Sequence, residues 1–396
     1  MQRCVYFDNN ATTPLELSVK EAIIKSLEND WGNPSSASIF GKNASKIILE
    51  ARVNIANMIS APHQDIIFTS GGTESNNMVI QSVVRWAKSR GLDKPHIILS
   101  NVEHVATLMP LKQMAQDALI DFSEVPVDSN GLLHEKNVME HIRPNTCLIT
   151  IMMANNETGV IFPIKELAGL MHEHNIARKI FGLSHIWFHT DAAQAIGKIE
   201  VNVEELKVDY LTIVGHKFYG PRIGALYCRN PGVTPLHSVV LGGGQEKGYR
   251  AGTENTPMIV GLGAAAQLVI QNLEDFSNNM LRMRQYLEFM LLTKFGNHKV
   301  VINCLGSPRL PNTVNVSFAN TKSSGEEILS SCTRLIASTT AACHSQEKLS
   351  SVLLKSGVPE NLARTAIRLS LGRYTTMEDV DIVIQDLYDS YHRTLK

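Results

Sequence analysis

His216 and Lys217 close an apolar run from Val208 to Val214 and are followed by Gly220-Pro221. A lysine amine beside a histidine and a glycine-proline turn is a candidate Schiff-base former. Earlier in the chain another apolar run, Ile186-Trp187-Phe188-His189-Thr190, ends in Asp191-Ala192-Ala193-Gln194. A carboxylate at the end of a buried strand is costly unless it meets a cation; capping a helix before Ala192 is the other use of that side chain. A third run, Asp65 to Thr69, enters Ser70-Gly71-Gly72-Thr73-Glu74-Ser75-Asn76, a glycine turn opening a helix whose free N–H groups and dipole suit a phosphate. An ordinary strand-to-helix turn would use the same residues. Polar clusters also follow two more runs, as Val102-Glu103-His104 and Asn155-Asn156-Glu157-Thr158-Gly159.

These residues share one rim only if the runs before them are neighbouring strands. Strand-length apolar runs at 65–69, 96–100, 147–154, 186–190 and 208–214 alternate with helical periodicity, as at 73–89 and 163–174. That pattern predicts an α/β fold with a mostly parallel sheet covered on both faces. Ligands of such a sheet bind beyond the carboxyl ends of its strands, where each polar cluster falls. A phosphate cradle, a carboxylate able to keep a ring nitrogen protonated and a lysine amine are together the needs of pyridoxal 5'-phosphate.

After Gly252 the pattern changes. Thr256-Pro257 reads as an N-cap followed by proline at the first helical position, opening a helix to about Phe295. Short strands at 300–303, 313–318 and 367–371 alternate with helices beyond it, and a capping box, Thr375-x-x-Glu378, opens the last helix. The expected division is a large cofactor-binding domain over 15–255 and a smaller α+β domain made of 1–14 with 256–396.

The 396 residues, 44% hydrophobic and 19% charged, without low-complexity stretches, describe a compact chain. Thirty-seven basic against 38 acidic residues remove the electrostatic case for a nucleic-acid or membrane-surface binder and favour a small-molecule partner. The six cysteines include no Cys-x-x-Cys pair, so no zinc site or disulfide framework is expected and a reducing compartment fits. The three-residue apolar patch Val5-Tyr6-Phe7 is too short for a secretory signal and Met258 to Ile270 too short for a bilayer, which leads to an expectation of the cytosol.

Over nearly its whole length the sequence resembles the cysteine desulfurase and selenocysteine lyase family, class V, fold-type I pyridoxal-phosphate enzymes. The resemblance rests on Tyr6-Phe7-Asp8-Asn9-Asn10-Ala11-Thr12-Thr13-Pro14, Gly32-Asn33-Pro34-Ser35-Ser36, Gly71-Gly72-Thr73-Glu74-Ser75-Asn76, Glu103-His104, Asn155 to Gly159, Thr190 to Gln194, His216-Lys217 and Gly242-Gly243-Gly244-Gln245-Glu246. Thr212 to Tyr227, Gly252 to Ile259 and Ala341-Ala342-Cys343-His344-Ser345 look most like the branch that cleaves selenocysteine.

The resemblance implies that Lys217 holds the cofactor, Asp191 pairs with the pyridinium nitrogen, and Gln194 with Asn155 lies near the ring and its phenolic oxygen. It implies that His104 stacks on the ring and shuttles protons, that Gly72, Thr73 and His216 hold the phosphate, and that Thr253 serves the neighbouring subunit of a homodimer with composite active sites. Ala11, Asn33 and Arg368 would contact the substrate, Arg368 taking its carboxylate with a planar guanidinium. Cys343 would be the catalytic thiol, as nucleophile or acid; Cys147, Cys228, Cys304 and Cys332 read as buried small hydrophobes. Val214 stands where many desulfurases carry a phosphate-binding serine, and Val105 replaces a residue that is charged in relatives.

The activity so implied is conversion of L-selenocysteine to L-alanine and reduced selenium. The alternatives are a desulfurase that forms an enzyme persulfide for a sulfur-acceptor protein, and a non-catalytic scaffold retaining the fold. An ordinary aminotransferase would have no use for the cysteine loop.

Overall fold

A computed structural model describes residues 3–339 and 349–394. Its centre is a seven-stranded sheet in the order Ile66–Thr69, Gly224–Cys228, Tyr210–Val214, Trp187–Asp191, Thr146–Thr150, His96–Ser100, Asp121–Val125. The five strands from Tyr210–Val214 to Asp121–Val125 pair in parallel, while Gly224–Cys228 runs antiparallel to both of its neighbours. The inner strands read as continuous apolar runs because both faces are covered: Ile149, Phe188, Leu211 and Ile213 face one core, and Leu148, Trp187 and Tyr210 the other.

Two of these strands are not apparent in the apolar runs. Asp121–Val125 is an edge strand with four half-buried positions, so its sequence, Asp-Phe-Ser-Glu-Val, is mixed. Gly224–Cys228 is hidden within the longer motif that follows Lys217.

The helix Thr256–Phe295 runs 40 residues and carries both cores. Ile259, Leu262, Ala265 and Val269 pack into the core of the large sheet; Met283, Leu287, Leu291 and Phe295 pack with the C-terminal strands. Gly263 lets it lie directly on the helix Ile39–Met58, since a Cβ there would sit 2.7 Å from Ala51. Its start differs by one residue from expectation: Asn255 is the N-cap and Thr256 is already helical, the proline occupying the first turn. The last helix, Met377–Thr394, is likewise capped one residue later than expected. Thr376 and Asp379 exchange the capping-box bonds, whereas Thr375 Oγ1 accepts from the Gly372 amide.

The second sheet orders Ile367–Ser370, Thr313–Phe318 and Val300–Ile302, all antiparallel. The N-terminal segment is laid along it. Val5–Tyr6 pairs in parallel with Leu335–Ile336, the Phe7 carbonyl accepts from Ser370 N, and Phe7 is buried among Val314, Leu369 and Leu371. Asp8, Asn9 and Asn10 therefore enter the cleft from the second sheet, opposite the carboxyl ends of the first.

Candidate active site

A cavity of about 240 Å³ opens at those carboxyl ends, lined among others by Ala11, Gly72, Thr73, His104, Asp191, Gln194, His216, Lys217 and Arg368. Six separate segments thus bring nine of the residues expected at the site to one place. Lys217 Nζ donates to the main-chain carbonyls of Asn10 at 2.6 Å and Ala11 at 2.7 Å, which holds the amine against the cavity wall.

Asp191 accepts from Ala193 N at 2.9 Å through one oxygen and from Asn76 Nδ2 at 2.9 Å through the other. Asn76 is the end of a buried chain that the sequence did not reveal. Thr212 Oγ1 donates to Asn76 Oδ1 at 2.7 Å, so it accepts from His189 Nε2 at 3.0 Å, and His189 Nδ1 is left to accept from Thr150 Oγ1 at 2.8 Å. Every donor in this series points toward Asp191. Burial pushes the His189 pKa down to about 4, which keeps the ring neutral and suits a histidine with one donating and one accepting nitrogen.

His104 caps the helix Val105–Gln116, its Nδ1 accepting from Ala106 N at 3.1 Å; the ring proton is therefore on Nε2. Beside it Glu103 is buried. Its Oε1 accepts from Ser100 Oγ and Met152 N, and burial raises its pKa to about 8. Thus the carboxyl is largely protonated at neutral pH and clamps the ends of two strands without adding charge to the cleft.

The phosphate end is shaped by the helix Gly72–Ser89. A Cβ on Gly72 would lie 2.7 Å from Val214 Cγ2, so the glycine and the valine together leave the helix N-terminus open to a ligand. His216 Nδ1 pairs with Thr12 Oγ1 at 3.1 Å, and burial with the nearby charges of Lys217 and Arg222 holds its pKa down to about 4.

At the opposite end Arg368 is 1% exposed. It binds Asp8 Oδ1 at 2.6 Å and the Asn156 carbonyl at 3.0 Å, while its buried Nε has no partner among the described residues. A buried guanidinium N–H left unsatisfied on a residue that lines a cavity suits an anionic oxygen. Open helix N–H groups at one end, an amine in the middle, and a fixed carboxylate with an unsatisfied guanidinium fit pyridoxal phosphate together with an amino-acid carboxylate.

Three expected residues lie elsewhere. Asn155 does not line the cavity: its Oδ1 accepts from Glu157 N, Thr158 N and Thr158 Oγ1, and its Nδ2 bonds the Val102 carbonyl, so the amide is consumed in holding the turn while Asn156 faces the cleft. Asn33 is exposed and folds onto its own turn through Ser35 N. Thr253 is exposed and outside the cavity lined by its own chain. Cys343 lies outside the described residues. Of the other cysteines Cys147, Cys228 and Cys304 are buried and Cys332 partly so, and burial pushes the Cys147 thiol up to about 12.

The aminotransferase class-V family model matches residues 5–383. The chain is 48% identical to the selenocysteine lyase of Rattus norvegicus, covering 97% of this chain and 94% of that protein. It is 42% identical to the cysteine desulfurase IscS of Dictyoglomus turgidum, over 98% and 94%. Among solved structures, a NifS-like protein superposes with a TM-score of 0.87 at 33% identity, covering 98% of both chains.

Proposed function

The chain belongs to the aminotransferase class-V family, and on that premise we propose that it uses pyridoxal 5'-phosphate to convert L-selenocysteine to L-alanine and reduced selenium. The observation that carries this reading is the meeting of Lys217, Asp191 and Arg368 on one cavity, with the selenocysteine lyase at 48% identity supplying the substrate. Bound there, the cofactor supplies an electron sink for the carbanion formed at the substrate α carbon. Gly72, Thr73 and His216 would hold its phosphate, Lys217 its carbonyl carbon, and Gln194 its phenolic oxygen. Asp191, fed by the donors of Asn76 and Ala193, keeps its negative charge for the ring nitrogen. Arg368 takes the substrate carboxylate at its unsatisfied edge, which orients the α proton toward the Lys217 amine.

Cys343 is the thiol proposed to receive selenium or protonate it, the electrons for reduction coming from an external thiol. A selenol is ionised at neutral pH whereas a thiol mostly is not, so a cationic cleft favours the selenium substrate. A homodimer is part of the same proposal. Its support is the position of Thr253, exposed and outside its own cavity, and the exposed stacked pair Trp31 and Phe40, with ring centroids 4.7 Å apart.

Alanine release from L-selenocysteine and L-cysteine, measured side by side in wild type and Cys343→Ala, tests the reading. A kcat/KM at least about tenfold higher for selenocysteine is expected, corresponding to about 1.4 kcal/mol of discrimination. Preference for cysteine would transfer the chain to the desulfurase reading, which the 42% identical relative supports. Full turnover of both substrates by Cys343→Ala would end the role of that thiol. Lys217→Ala should lose the visible absorbance of lysine-bound cofactor; wild type lacking that band even with added pyridoxal phosphate would remove the enzyme reading altogether.

A further inference from the structure

Behind Gln194 lies a lysine that none of the chemistry above uses. Lys198 is 4% exposed, and its Nζ donates to Gln194 Oε1 at 2.7 Å and to Asn10 Oδ1 at 3.0 Å. Among the described residues no carboxylate pairs with it. A buried ammonium is retained in proteins only when its charge is met, so the absence of an acidic partner calls for an explanation.

The geometry around Gln194 provides one. Gln194 Nε2 donates to the Asn10 carbonyl at 3.0 Å, and that same carbonyl accepts from Lys217 Nζ at 2.6 Å. A main-chain carbonyl can only accept, so it fixes which end of the Gln194 amide is nitrogen; Lys198 then holds the oxygen from the other side. Asn10 Oδ1 is equally determined, since Asn312 Nδ2 donates to it at 3.1 Å while Asn10 Nδ2 donates to Thr313 Oγ1. With the amide clamped at both ends, one Gln194 N–H is taken by the carbonyl and the other has no partner among the described residues, on a residue lining the cavity beside Lys217.

We propose that Lys198 is a positioning residue for the cofactor, clamping Gln194 so that one amide N–H is presented to the phenolic oxygen. The proposal rests on the pyridoxal phosphate reading. Lys198 performs this task as a neutral amine: among the described residues it has two acceptors for two N–H bonds, and the third N–H of an ammonium would be buried without one. Burial, with the charges of Lys217 and Arg368, also lowers its pKa well below the ordinary lysine value. The cleft thereby gains a rigid donor without a third cation.

The test is the pH titration of the visible band in the purified holoenzyme, which reads the cofactor's electronic state independently of turnover. A donor to the phenolic oxygen favours the deprotonated chromophore, so Lys198→Met should raise the midpoint by about one unit, a tenfold change in proton affinity. Gln194→Leu should raise it similarly, and the double variant no further, because both remove one interaction. Lys198→Gln, which keeps an uncharged donor, should return the midpoint to the wild-type value. A wild-type midpoint in Lys198→Met, additive shifts in the double variant, or a Lys198→Gln midpoint equal to that of Lys198→Met would each overturn the proposal. Should Lys198→Met fail to fold, the nitrogen-15 spectrum of lysine-labelled wild type decides: one side-chain nitrogen in the neutral amine form at pH 8 is expected, and all free lysines appearing as ammonium would refute it. A wild type without the band would instead refute the cofactor reading beneath.

Discussion

The two ends of the cleft are built on opposite electrostatic plans. On the sheet side, Thr150, His189, Thr212 and Asn76 are neutral, lie on elements locked into the central core, and together serve one carboxylate, Asp191. On the side of the second sheet the network is ionic. Arg368 pairs with Asp8, whose other oxygen accepts from Ser338; Arg373 pairs with Glu16 while stacking over Tyr219 at 4.0 Å and Phe276 at 4.4 Å. The neutral network is closed, every bond in it having a donor and an acceptor. The ionic one is left incomplete, because Arg368 and Arg373 each retain a buried Nε without a partner among the described residues. A closed network holds a permanent charge in place for a resident group, and an incomplete one suits a group that comes and goes.

The largest test of this contrast is Asp191→Ala. It removes the charge that the neutral chain exists to hold, and kcat/KM should fall about 10³-fold, in line with the loss of a preorganised electrostatic contact, with a weaker grip on the cofactor. Next is Arg368→Lys, which keeps the charge but loses the fork. Its kcat/KM should fall about 10²-fold, mainly through KM, since a point charge cannot serve Asp8 and a substrate carboxylate together. The visible band should be unchanged, separating the two ends; a bleached band in Arg368→Lys would show that they are not independent. Third, Thr212→Val cuts the neutral chain in its middle and strands the His189 Nε2–H and Asn76 Oδ1. A stability loss of about 1–3 kcal/mol is expected, read as a lower Tm, with turnover reduced far less than in Asp191→Ala.

How much of this was legible in the chain follows from the same contrast. Lys217, Asp191, His104 and Thr73 stand at the ends of apolar runs, where a parallel sheet places its ligands, so their positions predicted the shared rim on which the cavity lies. His189 and Thr212 sit inside the runs Trp187–Asp191 and Tyr210–Val214, where a polar residue looks like a minor interruption. Their meaning comes from strand order, which sets Thr150 beside His189 across 39 residues and Asn76 beside Thr212 across 136. Lys198 had no signal except a polar residue among small apolar ones. A polar cluster after a strand cannot show which of two asparagines faces the cavity; here the Asn155 amide holds the turn and Asn156 lines the cavity.

The smallest effect on turnover, and the one that probes both networks without a mutation, is the dependence of stability on pH. His189 has a folded pKa of about 4, below the ordinary value near 6.5, so between those values the unfolded chain binds the extra proton. Stability from this group is complete above about pH 6.5 and is lost as pH falls toward 4. His96, His185 and His216, each also lowered to about 4 by burial, act in the same direction. Glu103 has the opposite sign: its folded pKa of about 8 lies above its ordinary value of 4.5, so the folded chain holds the proton that the unfolded chain releases. Its contribution is complete below 4.5 and declines as pH rises to 8, by on the order of 2 kcal/mol over the last 1.5 units. Above pH 6.5 these histidines add little slope, whereas Lys198, neutral in the fold and an ammonium in the unfolded chain, contributes stability that grows with pH and opposes Glu103. Wild-type denaturant midpoints should therefore fall steeply below pH 6.5 and change little between pH 6.5 and 8. Glu103→Gln, which is neutral at every pH, removes the contribution that declines from pH 4.5 to 8, so its midpoints should rise relative to wild type across that whole range. Wild-type and Glu103→Gln midpoints that stay parallel from pH 4.5 to 8 would mean that the buried carboxyl beside His104 is ionised, and that the sheet side of the cleft is not the neutral structure drawn from its hydrogen bonds.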